Sequence, residues 1–126
     1  MGRIIFADDD DVVAEVVCDA FMAAGHAVGW LSDGRNAYEV ICRRPPDLVI
    51  LDCSMPEMTG VQIVREMRKS AALCDIPVLM LTGRVGDSDE GIARYEGAND
   101  YVKKPFDPRL LVARAEALMR GERRWD

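Results

Sequence analysis

Five times along the chain a short apolar run gives way to a Gly, Pro or Asp break and then to a longer stretch with helical spacing. Ile4–Ala7 predicts the first strand. After it Val12, Val13, Val16, Val17, Ala20, Phe21 and Ala24 recur at the spacing of one helix face, and Gly25 ends that helix. Ala27–Leu31 predicts the second strand, with Ser32 or Asp33 as cap for a helix carrying Ala37, Val40 and Ile41. Pro45-Pro46 forbids its continuation. Leu48–Leu51 is an uninterrupted branched apolar run of the kind found where a strand is covered on both faces, and it stops at Asp52. A loop through Pro56 and Gly60 leads to a helix with Ile63, Val64 and Met67 inward. Pro77 then introduces the fourth strand, Val78–Thr82. A weaker helix pattern over Asp87–Glu96, interrupted by Gly91, precedes a fifth strand at Ala98–Val102. Asp107 followed by Pro108 is a cap and first-turn signature, and it opens a helix with Leu110, Leu111, Ala117 and Leu118 on one side.

Strands alternating with helices at this spacing predict an α/β fold of right-handed βα units on a parallel sheet with helices on both faces. In such sheets ligands bind beyond the carboxyl ends of the strands, where the winding direction reverses. The 126 residues allow one core and no second folded unit, so a single domain over 1–120 with a charged tail at 121–126 is expected.

Sixteen basic against 22 acidic residues leave a net charge of −6, which argues against a surface built to neutralise phosphates and in favour of a bound cation or cationic partners. Apolar runs such as Val78–Leu81 are far shorter than the ~20 residues that span a bilayer, and the N-terminus lacks the layout of a signal peptide. A cytoplasmic protein with no membrane contact is expected. The four cysteines, at 18, 42, 53 and 74, form no C-x-x-C pair and are expected to be unbridged and mostly buried. His26, beside Gly25 at a turn, has no His or Cys at ligand spacing, which argues against zinc.

The strand-end rule brings Asp8 and Asp9, Asp52, Thr82 and Lys104 to one edge of the sheet. Crowded carboxylates repel one another, and the usual relief is a hard divalent cation with oxygen ligands, ordinarily Mg²⁺. Asp10 and Asp11 read better as a solvated turn and helix cap. Thr82 alone could be an ordinary strand-end hydroxyl and Lys104 alone a surface charge; their joint placement is what draws attention.

Across nearly its whole length the sequence resembles the receiver domain of a two-component response regulator. The resemblance is carried by Asp8-Asp9 after an apolar run, Leu51-Asp52 followed by Met55-Pro56 and Gly60, Leu81-Thr82-Gly83, and Gly97-Ala98-Asn99-Asp100-Tyr101 leading to Lys104-Pro105-Phe106. It implies a doubly wound, flavodoxin-like sheet in the order 2-1-3-4-5. It implies phosphorylation of Asp52 by a histidine kinase or histidine phosphotransfer protein. Mg²⁺ would be held by Asp9, Asp52 and the backbone carbonyl of Ser54, with Asp8 helping through water. Thr82 and Lys104 would bond the phosphoryl oxygens, and Tyr101 would turn inward to alter the face made by the fourth helix, fifth strand and fifth helix. A cis Lys104-Pro105 bond belongs to the same pattern. Such a chain is not an enzyme but a phosphoacceptor that assists its own phosphorylation and dephosphorylation. Its partners are the phosphodonor and a downstream protein target, with a phosphorylation-dependent homodimer among those the face allows, and no direct nucleic acid.

Ser54 and Arg84 stand two residues beyond Asp52 and Thr82, where the resemblance places the approach of water, so the lifetime of the acyl phosphate is left open. Cys53 should point away from Asp52 by strand alternation, and Gly83 leaves room beside the phosphate. A haloacid-dehalogenase-type phosphohydrolase would carry a second Asp where Ser54 stands, and a mononucleotide or flavin binder would carry a Gly-rich loop where Asp8-Asp9 stands. The expectation is a stand-alone receiver; the alternative is the N-terminal receiver of a DNA-binding regulator.

Overall fold

The structure, a computed structural model, describes residues 2–83 and 97–122. The helix expected over Asp87–Glu96, Arg84, Gly86 and residues 123–126 lie outside the described residues.

Five strands, β1 (Arg3–Ala7), β2 (Ala27–Leu31), β3 (Leu48–Asp52), β4 (Val78–Thr82) and β5 (Asp100–Lys103), pair in parallel in the order β2-β1-β3-β4-β5. The described helices are α1 (Asp11–Ala23), α2 (Gly34–Arg43), α3 (Gly60–Lys69) and, at the C-terminal end, α4 (Pro108–Met119). The predicted sheet class and order therefore hold. Every residue of β3 and β4 is buried, as the unbroken apolar runs require of central strands, whereas the edge strand β2 has no buried residue.

Strand alternation divides the core into two layers. Ile5, Val49, Leu51 and Met80 pack with Ile41, Ile63 and Met67 from α2 and α3; Ile4, Phe6, Ile50 and Leu79 pack with Val17, Phe21 and Leu111 from α1 and α4. Truncating one of the large side chains, such as Phe21→Ala, should cost about 3–5 kcal/mol.

Local chemistry sets the helix ends. Asp10 accepts from the amides of Val12 and Val13 (3.0 and 3.3 Å), Asp33 caps α2 through the Asn36 amide (2.8 Å), and Thr59 and Gln62 form a reciprocal capping box on α3. Asp107 and Pro108 open α4 as predicted.

Several expectations need correction. β5 starts at Asp100, not Ala98, because the Asn99 carboxamide oxygen takes the Val78 amide (2.7 Å) and the Asn99 amide takes the Val78 carbonyl (2.8 Å), closing the strand start with a side chain. Asp52 is the last residue of β3, not the first beyond it. In α1 the buried stripe is Ala14, Val17 and Phe21, which leaves Val12 68% and Val16 45% exposed; the apolar positions read from sequence cover more arc than one face. In α4 the stripe is Leu111, Ala115 and Leu118, so Leu110 turns to solvent. The cysteines form no disulfide, but none is fully buried: Cys18 and Cys53 are half-buried, Cys42 and Cys74 exposed. His26 is buried with both ring nitrogens bonded. Nδ1 accepts from the Gly2 amide (3.0 Å) and Nε2 meets Glu116 Oε2 (2.8 Å), bonds that tie the turn after α1 to the N-terminus and to α4.

Candidate functional site: an acidic cluster at the carboxyl edge of the sheet

β1 runs out at Ala7, and the next residue, Asp8, is fully buried. All of its polar atoms are committed. The amide donates to Leu31 O (3.2 Å) and the carbonyl accepts from the Trp30 indole Nε1 (2.8 Å). Carboxylate Oδ1 accepts from the Asp10 amide (2.9 Å), and Oδ2 accepts from Lys104 Nζ (2.7 Å). Asp9, one residue on, is exposed. Asp10 turns away to cap α1, as the sequence suggested, and Asp11 is the first helical residue.

Asp52 ends the central strand, where β4 pairs with it at Leu81. Its carboxylate accepts a long bond from the Ser54 amide (3.4 Å) and lies 3.5 Å from Lys104 Nζ. Behind it the chain folds back closely: the Gly60 amide bonds Cys53 O (3.2 Å), and a Cβ on Gly60 would stand 2.3 Å from the Asp52 carbonyl oxygen. Only glycine permits that approach of α3 to the end of β3. Cys53 packs against the α2 and α3 layer, as strand alternation required.

Thr82 closes β4 and is buried, and its carbonyl accepts from the Lys104 amide (2.6 Å). The Lys104-Pro105 bond is cis, as the resemblance implied. Among the described residues nothing lies within 4 Å of a Cβ built on Gly83. Tyr101, on β5 opposite Met80, is turned into the α2 and α3 layer and is 3% exposed.

The structure thus brings Asp8, Asp9, Asp52 and Lys104 together. Thr82 is tied to them through the backbone of Lys104, and Tyr101 is set one layer away. One ligand oxygen each from Asp8, Asp9 and Asp52 lies within 4.8 Å of the others, a donor set of hard oxygens that suits a divalent cation such as Mg²⁺.

Burial is the largest influence on Asp52, and the neighbouring Asp8 charge adds to it; together they outweigh Lys104 and the Ser54 amide and push the carboxyl up to about 6. Burial by itself would lower Lys104, but its bonds to Asp8 and the charge of Asp52 prevail and raise it, so the ammonium stays charged. One cation faces two buried carboxylates, a shortfall of positive charge that a metal ion or a protonated Asp52 can meet.

Trp30 was not singled out in the sequence. An indole on a short strand carries no signal of its own; the pairing of Phe6 with Trp30 is what brings it beside the acidic turn. Arg68 was also missed. From α3 it donates to the carbonyls of Gly97, Cys74 and Ile76 (2.9, 3.1 and 2.8 Å) and to Asn99 Oδ1 (2.9 Å), fastening the segments that lead into β4 and β5. Main-chain acceptors leave no trace in a sequence.

Comparison with known proteins agrees with the fold. The chain matches the family described as Response regulator receiver domain over residues 4–116. It is 37% identical over 118 residues to the phosphate regulon transcriptional regulatory protein PhoB of Pseudomonas aeruginosa, covering 93% of this chain and 51% of that protein. The response regulator MprA of Mycolicibacterium vanbaalenii is also 37% identical, over 94% of this chain and 50% of its own. The chain spans about half the length of the curated relatives it matches. Among solved structures, the receiver domain of a signal transduction histidine kinase from Syntrophus aciditrophicus superimposes with a TM-score of 0.89 at 28% identity, covering 100% of this chain and 96% of that one. The chemotaxis response regulator CheY4 of Vibrio cholerae gives 0.87 at 28% identity, over 94% and 98%. No described helix is long and apolar enough to cross a membrane. With the family match spanning residues 4–116 and relatives at 37% identity over more than nine-tenths of the chain, this chain belongs to the response regulator receiver domains.

Proposed function

We propose that the chain is a phosphoacceptor switch whose nucleophile is Asp52. The observation that carries this reading is the convergence of Asp8, Asp9 and Asp52 within 4.8 Å at the strand ends with the Lys104 ammonium among them. An Asp52 oxygen attacks phosphorus, the bond from phosphorus to the donor nitrogen breaks, and the lone pair returns to the donor imidazole. The product is an acyl phosphate.

The chain's own residues prepare that step. Asp9 and Asp52, with the Ser54 carbonyl, would hold Mg²⁺, and Asp8 would act through water because both of its carboxylate oxygens already take protein donors. When bound, the cation would supply positive charge to keep Asp52 ionised and offset the charge of the entering phosphoryl oxygens. Lys104 moves from Asp8 toward the new phosphoryl oxygens, and the Thr82 hydroxyl turns to bond one of them. Tyr101 on the adjoining strand carries the change to the β5 and α4 face. The donor would be a histidine kinase or histidine phosphotransfer protein and the target a protein that reads that face, all in the cytoplasm. The chain would be no enzyme but a partner in its own phosphorylation and dephosphorylation.

The experiment is mass spectrometry after acetyl phosphate and Mg²⁺. A gain of about 80 Da in a hydroxylamine-labile linkage is expected, and Asp52→Asn should abolish it. Label that persists in the variant, or resides on Ser54, overturns the assignment. The half-length match to the relatives supports a second reading, in which this receiver is the N-terminal part of a longer DNA-binding regulator. An immunoblot of the source cells decides between them by the mass of the endogenous protein.

A further inference from the structure

We propose that Trp30 is a positioning residue for the acidic pair: its indole N–H fixes the Asp8–Asp9 peptide and so holds Asp9 where the cation needs it. The inference rests on the metal-assisted reading above and adds a residue to it. Asp9 contributes an exposed carboxylate from a short connection between β1 and α1, and among the described residues that carboxylate takes no protein donor. Its position is therefore set by its backbone. On the far side the backbone is held by Asp10, whose amide bonds Asp8 Oδ1 and whose carboxylate caps α1. On the near side it is held by the Asp8 peptide.

The β1 and β2 ladder stops at Ala7 opposite Leu31, with one further bond from the Asp8 amide to Leu31 O. Beyond that point the chain leaves β2 for the Asp33 cap, so the donor that a longer strand would have offered the Asp8 carbonyl is supplied by the Trp30 side chain at 2.8 Å. Trp30 stands on the α1 side of the edge strand and remains 39% exposed, so enclosure alone does not fix its ring and the hydrogen bond contributes to its orientation. A carbonyl held in one plane fixes the direction of the following amide and Cα. A carboxylate pre-set in this way loses less freedom when it binds a cation than one on a free turn.

The test uses the whole chain in a Trp125→Phe background, so that one indole reports. Mg²⁺ is titrated by calorimetry and by the indole ¹⁵N–¹H NMR signal of Trp30. A second protein carries benzothienylalanine at position 30, which keeps the bicyclic shape and replaces the N–H by sulfur, and a third carries Trp30→Phe. The expected result is an indole signal that moves in step with Asp52 as Mg²⁺ binds, and an affinity weakened about three- to tenfold in both variants, while the benzothienyl protein unfolds in EDTA at the parent's temperature. An unchanged Mg²⁺ affinity in the benzothienyl protein, whatever its stability, overturns the positioning role and leaves the cation reading standing. A parent that shows no Mg²⁺-dependent shift at Asp52 overturns both.

Discussion

Lys104 is bound more tightly to Asp8 than to Asp52: its ammonium lies 2.7 Å from one carboxylate and 3.5 Å from the other. The proposed acceptor thus gets the weaker help from the lysine, which does not offset what raises its carboxyl. Burial comes first in that shift, the Asp8 charge second.

A pH dependence with a definite sign follows. Asp52 has a folded-state value of about 6 against an ordinary 3.8, so between those limits the folded protein holds a proton that the unfolded chain has released. Its contribution to stability is fully present below pH 3.8 and is lost as pH rises through about 6. Discounted for partial exposure, the loss should be about 1–3 kcal/mol. In EDTA, the advantage of Asp52→Asn over the parent should grow from nothing near the lower limit to a plateau above neutrality, measured by urea unfolding at each pH. Asp8→Asn should lower the Asp52 midpoint in a carboxyl ¹³C titration. A pH-independent difference between parent and Asp52→Asn would contradict the raised acidity constant.

Cation binding should relieve the same repulsion. For a dissociation constant on the order of 1 mM, 10 mM Mg²⁺ adds roughly 1.4 kcal/mol, or roughly 3–8 °C in melting temperature for a domain of this size. Asp9→Ala should remove most of that gain and leave the metal-free protein as stable as the parent. Thermal unfolding with EDTA and with Mg²⁺ at matched ionic strength is the check. A variant markedly weaker without metal would make Asp9 a structural residue.

Thr82 and Lys104 should separate in their effects. Thr82→Ala should still accept phosphate from acetyl phosphate at a rate near the parent's, because its hydroxyl does not attack, yet its NMR shifts on phosphorylation should no longer reach Tyr101. Lys104→Ala should slow phosphorylation and also curtail those shifts, since the ammonium both offsets charge and bonds the product. Shifts confined to the loops around Asp52 in the parent would refute the relay.

Arg68 should matter for stability at a distance from the acidic edge. Its removal strips donors from three carbonyls and from Asn99, so Arg68→Ala should cost about 2–4 kcal/mol, and Arg68→Lys should restore less than half, because an ammonium cannot fork to four acceptors. Chemical denaturation measures both. A loss below about 0.5 kcal/mol would mean that water replaces the guanidinium.

The order of elements and the acidic edge were legible because strand ends announce themselves: an apolar run that stops at Asp8, Asp52 or Thr82 tells both where the strand ends and what stands there. Apolar content alone misplaced the buried stripe of α1. Ala14 belongs to it and looks unremarkable in the sequence, while Val12 and Val16 look like core and face solvent. The choice of Lys104 between two acids, the Trp30 bond to Asp8 and the Arg68 hub depend on register and on main-chain acceptors. Neither is written in residue type.

The fit of Gly60 against the Asp52 carbonyl gives the acceptor an anvil. With no room for even one carbon between helix α3 and the end of β3, the main chain under Asp52 cannot recoil toward that helix when a bulky anion is fixed to its side chain. On the other flank, around Gly83, nothing among the described residues stands within 4 Å of its would-be Cβ. On the proposed function, displacement would then be steered across β4 to β5. A substitution as small as Gly60→Ala would not remove the charge chemistry but would blunt its direction, letting the blow spread into the strand meant to resist it.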